Sequence, residues 1–152
     1  MIKSKNTVFL VKKSYARMRI LHKVSEFNAP VEDLVTIYIM YVRSILEQAC
    51  QVWHPMLTQE NADDIERVQK SALKVILKED YITYEDAMEK LMLATLSDRR
   101  KKLCLKFAKN CANNELTSDL FPLNPAGLNT RGKLKYLVTH ANTDRYKDSP
   151  VP

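Results

Sequence analysis

The chain has 152 residues, a net charge of +6 and only two glycines, both after residue 126. This length suits one domain, or one domain with a tail. The scarcity of glycine excludes a turn-rich β fold and a glycine-rich phosphate loop, so the composition predicts a helical body.

The sequence shows no membrane or secretion signal. It contains no run of about 18 apolar residues, and its first six residues are polar and basic. We therefore expect an intracellular protein of the nucleus or cytoplasm that does not contact membranes. Cys50, Cys104 and Cys111 are too few and too widely spaced for a disulfide framework or a zinc site. We expect reduced thiols and no metal.

Apolar residues at spacings of three and four predict a first amphipathic helix over residues 7–27. Pro30 suits the first position of a second helix, over residues 30–52. The stripe of the first helix comprises Val8, Val11, Tyr15, Met18 and Leu21, and that of the second comprises Leu34, Ile37, Tyr38, Tyr41, Ile45, Ala49 and Val52.

Aromatic residues provide the predicted structural anchors of this region. Tyr41 is expected in the core within the second stripe, and the alternative is that Tyr38 and Tyr41 stack on nucleic-acid bases. Trp53 precedes the helix-ending His54-Pro55 pair and is expected to fill the corner before the next helix. The alternative role of Trp53 is a stacking platform for bases.

Three more helices follow this corner. Thr58 is predicted to cap a helix over residues 59–78, with Ile65 and Val68 as inward anchors. Thr83 begins a capping-box pattern for a short helix to residue 91, and Ser97 is the expected cap of a helix over residues 98–113. The prediction is an all-α bundle of about five helices at residues 7–114, with a mostly irregular, proline-containing tail at residues 115–152.

The positive charge is concentrated in three clusters. Residues 56–98 between them hold ten acids against five bases. This separation of basic clusters from an acidic region is typical of a domain that turns basic faces toward a polyanion. Ordinary solvated helix faces give similar runs of charged residues. The candidate nucleic-acid-binding residues are Lys12, Lys13, Arg17, Arg19 and Lys23 on the first helix and Arg99, Arg100, Lys101, Lys102, Lys106 and Lys109 on the last. The third cluster, in the tail, is Arg131, Lys133, Lys135, Arg145 and Lys147.

Two patterns imitate catalytic motifs. Asp63-Asp64 follows Ala62 as in a polymerase palm, but Asn61 replaces the usual aromatic residue and the following residues are helical in pattern. We interpret these aspartates as first-turn helix acids. Cys50 and His54 are four residues apart, but no acid or amide is placed to orient the histidine. The sequence predicts no catalytic residue.

One extended block of sequence resembles a known family. Residues 43–54, 57–58, 60, 65–70, 72–73 and 75–76 follow the wording "VRSxLEYACxVWHxxLTxExxxxIERVQKxALRII". Residues 91–100 follow "LxLxTLxxRR", and residues 145–152 resemble "RYxxSxxP". This wording is typical of the carboxy-terminal region of reverse transcriptases from non-LTR retrotransposons, the LINE and jockey-like elements. Gln48 stands where that family usually has an aromatic residue.

The resemblance implies the thumb and post-thumb region of an RNA-directed DNA polymerase. In that family a helical thumb grips the template-primer duplex, while the fingers and palm hold Mg²⁺ and the dNTP. We therefore expect a non-catalytic, truncated fragment without a cofactor of its own, whose partner is an RNA-DNA hybrid or a DNA or RNA duplex. The missing fingers and palm are a further expected partner.

Two alternatives to nucleic-acid binding stay open. The acidic region of residues 56–98 is suited to docking a basic protein, which would make the chain a protein-interaction module. The chain is otherwise a domesticated or degenerate relic without nucleic-acid binding, or an isolated thumb that exposes the apolar surface that packs on a palm and therefore aggregates.

Overall fold

The computed structural model describes residues 5–120, and every regular element in that span is helical. This confirms the predicted all-α bundle. The tail beyond residue 120, with its basic cluster, lies outside the described residues. No helix between residues 5 and 120 is long and apolar enough to cross a bilayer. The elements are α1 (Lys5–Glu26), α2 (Val31–Ile37), a π-helical segment (Tyr38–Arg43), α3 (Ser44–Glu47), α4 (Cys50–Trp53), α5 (Gln59–Leu77), α6 (Tyr84–Lys90), α7 (Leu96–Ala112) and short 3₁₀ turns at Lys78–Asp80 and Ser118–Leu120.

The central element is α5, which contacts α1, α2, α6 and α7. Its side chains Ile65 and Val68 are fully buried, as predicted. Thr58 caps this helix, because its hydroxyl accepts a hydrogen bond from the backbone N–H of Asn61 at 3.4 Å. The helix is therefore capped at its N-terminus and packs its apolar side against four other helices.

The buried stripe of α1 is rotated from the predicted one. Met18 and Leu21 are buried as expected, but Tyr15 is exposed. The stripe instead includes three small polar residues, whose size allows α1 to lie close against α5. The Ser25 hydroxyl donates to the backbone carbonyl of Val75 on α5 at 3.2 Å. The buried residues of α1 are Thr7, Leu10, Ser14, Met18, Leu21 and Ser25.

The predicted second helix does not run unbroken to residue 52. The segment Tyr38–Arg43 is π-helical, and Ala49 adopts a left-handed conformation, with φ 50° and ψ 31°, that separates α3 from α4. A π turn adds a residue to the repeat and so shifts which side chains face inward. Tyr38 is fully buried, whereas Tyr41 is 45 % exposed. The prediction that Tyr41 anchors the core is therefore wrong.

The caps of the last two helices show one correct and one incorrect prediction. The Thr83 hydroxyl accepts from the backbone N–H of Asp86 at 3.1 Å and caps α6 as expected. The cap of α7 is Thr95, whose hydroxyl accepts from the N–H of Asp98 at 3.1 Å. Ser97 lies inside the first turn of α7, so α7 begins earlier than the pattern predicted, and Leu96 enters the core.

Candidate nucleic-acid interface

The basic residues of α1 lie on its solvent side. Lys12, Arg19 and Lys23 recur at spacings of seven and four, which places them opposite the buried stripe that includes Met18 and Leu21. Lys13 and Arg17 flank this row and are also exposed, and the Lys13 ammonium lies 5.7 Å from the centroid of the Phe9 ring. The five predicted cations of α1 are therefore accessible to a polyanion.

A second exposed row lies on α7. Lys102, Lys106 and Lys109 are spaced by four and three residues and share one face of the helix. Together with Leu105 and Asn110 they line a shallow surface groove. The row spans about 10.5 Å, at 1.5 Å per residue. Lys101 is exposed as well, but it lies on a different side of the helix.

Arg99 is drawn into an ion pair instead of the exposed row. Its Nε and Nη2 atoms donate to the two carboxylate oxygens of Glu47 on α3, with the Nη2 to Oε2 distance 3.1 Å. These hydrogen bonds raise the pKa of Arg99, and the Nε atom of Arg43 lies 4.0 Å from the same carboxylate. Arg99 therefore joins α7 to α3 through this ion pair, and its role in nucleic-acid binding stays a prediction.

Arg100, which the sequence predicted to bind nucleic acid, is buried. Its side chain is 0 % exposed, so it cannot contact a phosphate at the surface in this conformation. The guanidinium carbon lies 5.9 Å from the ring centroid of Trp53. The sequence signal was present but was hidden by the basic run, because Arg100 is four residues from both Leu96 and Cys104 and so lies on the inward side of α7.

Trp53 occupies the corner between α4 and α5, as the sequence predicted. Its half-buried ring packs against the main apolar cluster, and its indole N–H donates to the carbonyl of Gln48 at 2.9 Å. The hydrogen bond ties the ring to the chain just before the left-handed residue Ala49. The tryptophan thus holds α4 in place above α7, which α4 contacts.

A buried hydrogen-bond network that the sequence did not reveal joins α5 to its neighbours. The Tyr38 hydroxyl donates to Gln69 Oε1 at 2.6 Å, and Gln69 Nε2 donates to the Tyr84 hydroxyl at 2.7 Å and to the Ala94 carbonyl at 3.2 Å. The Tyr84 hydroxyl donates to Glu66, whose carboxylate also accepts from the N–H of Leu96. Burial raises the pKa of both tyrosines.

The two patterns that imitate catalytic motifs have ordinary surroundings. Asp63 accepts a hydrogen bond from Gln59 at 2.8 Å, and Asp64 pairs with Arg67 at 2.6 Å within α5. Burial raises the pKa of the Cys50 thiol to about 11, which disfavours the reactive thiolate. His54 Nδ1 is buried and has no hydrogen-bond partner within residues 5–120. Across the same span, no group of three or more His, Cys, Asp or Glu residues is arranged to hold a metal ion.

The described surface thus presents two separate basic rows, one on α1 and one on α7. In comparisons with protein-family models, curated proteins and solved structures, none was found to match this chain.

Proposed function

We propose that this chain binds the phosphate backbone of a nucleic-acid duplex, in the manner of a polymerase thumb, without itself catalysing polymerisation. The observation that carries the proposal is the exposed row of Lys102, Lys106 and Lys109 along the outer side of α7. Lysine ammonium groups in a row contact phosphates without reading bases. The resemblance to retroelement reverse transcriptases supports the same role, with Mg²⁺ and dNTP assigned to the palm of such an enzyme.

The exposed row of α1 extends the proposal to a second surface. Lys12, Arg19 and Lys23 point away from the core, while α1 and α7 both pack against α5. The region of residues 56–98 carries ten acids against five bases and would be repelled by phosphates. This distribution favours one orientation of the domain on a duplex, with the acidic region turned away.

Fluorescence anisotropy with a labelled RNA-DNA hybrid tests the proposal. We expect binding at low salt that weakens steeply as salt rises, because neutralised phosphates release their counterions. A hybrid, a DNA duplex and an RNA duplex of one sequence should be compared, and changing the sequence should have little effect. Absence of binding at low salt, or binding that is indifferent to salt, would contradict the proposal.

A second candidate function is a protein-interaction module, and three exposed apolar side chains on α1 and directly after it favour this role. Phe9, Ile20 and Phe27 are 59 %, 41 % and 85 % exposed. A thumb would cover such side chains by packing on its palm. Sedimentation velocity of the wild type and of a variant with all three changed to Ser distinguishes the candidates. Self-association that the variant loses, combined with no hybrid binding, favours the interaction role, whereas a wild-type monomer at all concentrations argues against it.

A further inference from the structure

Arg100 carries a buried charge that no described side chain or carbonyl satisfies. The residue is 0 % exposed, and its Nε, Nη1 and Nη2 atoms have no hydrogen-bond partner within residues 5–120. A guanidinium has five N–H donors and keeps its proton in proteins, so Arg100 stays charged when it is buried. Buried charges are normally paired and hydrogen-bonded. Among residues 5–120, this corner between α4 and α7 therefore provides no counter-ion for Arg100.

The two nearby carboxylates are already engaged. Glu47 accepts both hydrogen bonds of Arg99, and Glu66 accepts from the Tyr84 hydroxyl and the N–H of Leu96. Both influence the charge of Arg100 from a distance, yet neither forms a salt bridge with it. The carboxylates of the described part of the chain thus form no hydrogen bond with the guanidinium of Arg100.

The other polar groups of the corner are also cationic or unpaired. His54 Nδ1 is buried without a partner in the described chain, and the exposed Lys101 follows Arg100 directly. Burial and the charges of Arg100 and Lys101 lower the pKa of His54. Arg100 and His54 thus both have unpaired polar atoms at this corner, with the charge of Lys101 nearby, and the complement of the Arg100 guanidinium is a small anion.

Trp53 covers this position. Its ring centroid is 5.9 Å from the Arg100 guanidinium carbon, and one hydrogen bond, to Gln48, holds the indole N–H. The residue belongs to α4, which has four residues and follows the left-handed Ala49. Short elements with few internal hydrogen bonds open at low free energy. A movement of α4 would uncover Arg100.

We propose that the corner between α4 and α7 binds a phosphate-type oxyanion, with Arg100 as the principal ligand and His54 and Lys101 as supporting donors. The planar guanidinium matches two oxygens of a phosphate at once. This site is distinct from the proposed duplex-binding row, because Lys102, Lys106 and Lys109 lie on the opposite side of α7. The same chemistry is offered by free inorganic phosphate and by a terminal phosphate of a nucleic-acid strand.

The only tryptophan of the chain reports directly on this corner. Sodium phosphate should be titrated against sodium chloride at constant ionic strength while Trp53 fluorescence is recorded. We expect a saturable change and a higher melting temperature with phosphate, because a ligand that binds only the folded state stabilises it. Arg100→Met should abolish the saturable change, and Lys109→Met, a matched loss of one charge on the outer side, should preserve it. A wild-type response that is linear or equal in chloride would overturn the proposal.

A milder variant covers the case in which Arg100→Met does not fold. Arg100→Lys keeps the charge but loses the fork, so its phosphate affinity should be roughly tenfold weaker. An unchanged affinity would overturn the assignment of Arg100. Oligonucleotides with and without a 5′-phosphate separate the two sources of the anion. Preference for the phosphorylated strand identifies a strand end, and equal binding with a saturable response to inorganic phosphate identifies the free ion.

The outcome is independent of the duplex-binding proposal. Saturable phosphate binding in a protein that does not bind a hybrid would leave this site standing and remove the proposed function. Hybrid binding that depends on Lys102, Lys106 and Lys109, without a saturable phosphate response, would support the proposed function and remove the oxyanion site.

Discussion

At the scale of single residues, Gln69 is the side chain on which the packing of several helices depends. It is fully buried, and its amide bonds Tyr38 beside α2, Tyr84 on α6 and the carbonyl of Ala94 before α7. A buried amide whose neighbours are all hydrogen-bonded fixes the relative positions of the helices more strictly than apolar contact alone. The same amide explains why two tyrosine hydroxyls are tolerated inside the bundle.

Replacing Gln69 should be strongly destabilising. Gln69→Leu keeps the volume but leaves two hydroxyls and a carbonyl without this partner, and we expect a loss of about 2–3 kcal/mol in the free energy of unfolding. Urea unfolding measured by circular dichroism provides the value. Gln59→Leu, at an exposed position of the same helix, should change the free energy by less than about 0.5 kcal/mol. Equal effects of the two substitutions would refute the importance of the network.

His54 should make the stability depend on pH. Burial and the cations Arg100 and Lys101 lower the pKa of His54 below its ordinary value of 6.5. The unfolded chain therefore takes up this proton first as the pH falls, so stability present above pH 6.5 is lost below it. The urea midpoint should decline between pH 7.5 and 5.5, and His54→Gln should reduce that decline. His22→Gln, at an exposed position of α1, should retain it. Identical declines in both variants would show that His54 is not responsible.

At the scale of elements, the helices follow from the sequence but their interruptions do not. The spacing of apolar residues and the caps Thr58 and Thr83 predicted the positions of α1, α5 and α6 closely. Neither the π-helical segment nor the break at Ala49 carries a glycine or proline that would signal it. Both arise from tertiary packing, which overrides local preference. The burial of Tyr38 instead of Tyr41 is a consequence of that packing.

The candidate site was predicted less completely than the fold. A basic run is normally read as one solvated surface, which hides the spacing of four that places Arg100 on the same side of the helix as Leu96 and Cys104. Packing of α7 on α3 and α4 divides it, because Arg99 meets Glu47 and Arg100 lies under Trp53, while Lys102, Lys106 and Lys109 stay outside. The side of the helix on which a cation lies, more than its charge, decides whether it is available to contact a phosphate.

Ala49 offers a test of the break between α3 and α4. A residue with a Cβ atom at φ 50° is strained, and Gly relieves this strain at little steric cost. We expect Ala49→Gly to raise the free energy of unfolding by about 0.5–1 kcal/mol. Ala16→Gly, the same substitution at an exposed site within α1, should lower it by about 1 kcal/mol. A destabilised Ala49→Gly protein would mean that the break is not left-handed in solution.

At the scale of the whole molecule, the basic rows and most of the acidic residues lie on different helices. The outward rows of α1 and α7 are basic, and the elements from α5 to α6 hold most of the acids of residues 56–98. These helices share one core, in which α5 contacts both basic helices. A compact domain with this distribution can bind a polyanion by two surfaces and keep its acidic region in solvent.

The central claim is that the lysine row of α7 contacts phosphates, and the salt dependence of hybrid binding tests it most directly. Two triple variants with the same loss of charge should be compared. One changes Lys102, Lys106 and Lys109 to Ala, and the other changes Lys70, Lys74 and Lys90, which lie on α5 and α6 within the acidic region.

In the first variant, the slope of log K against log salt concentration should become shallower by about 2 to 3, because three phosphate contacts are lost. The second variant should keep the wild-type slope. If both variants change the slope equally, binding reflects only the net charge of the chain, and the claim that α7 contacts the duplex is contradicted.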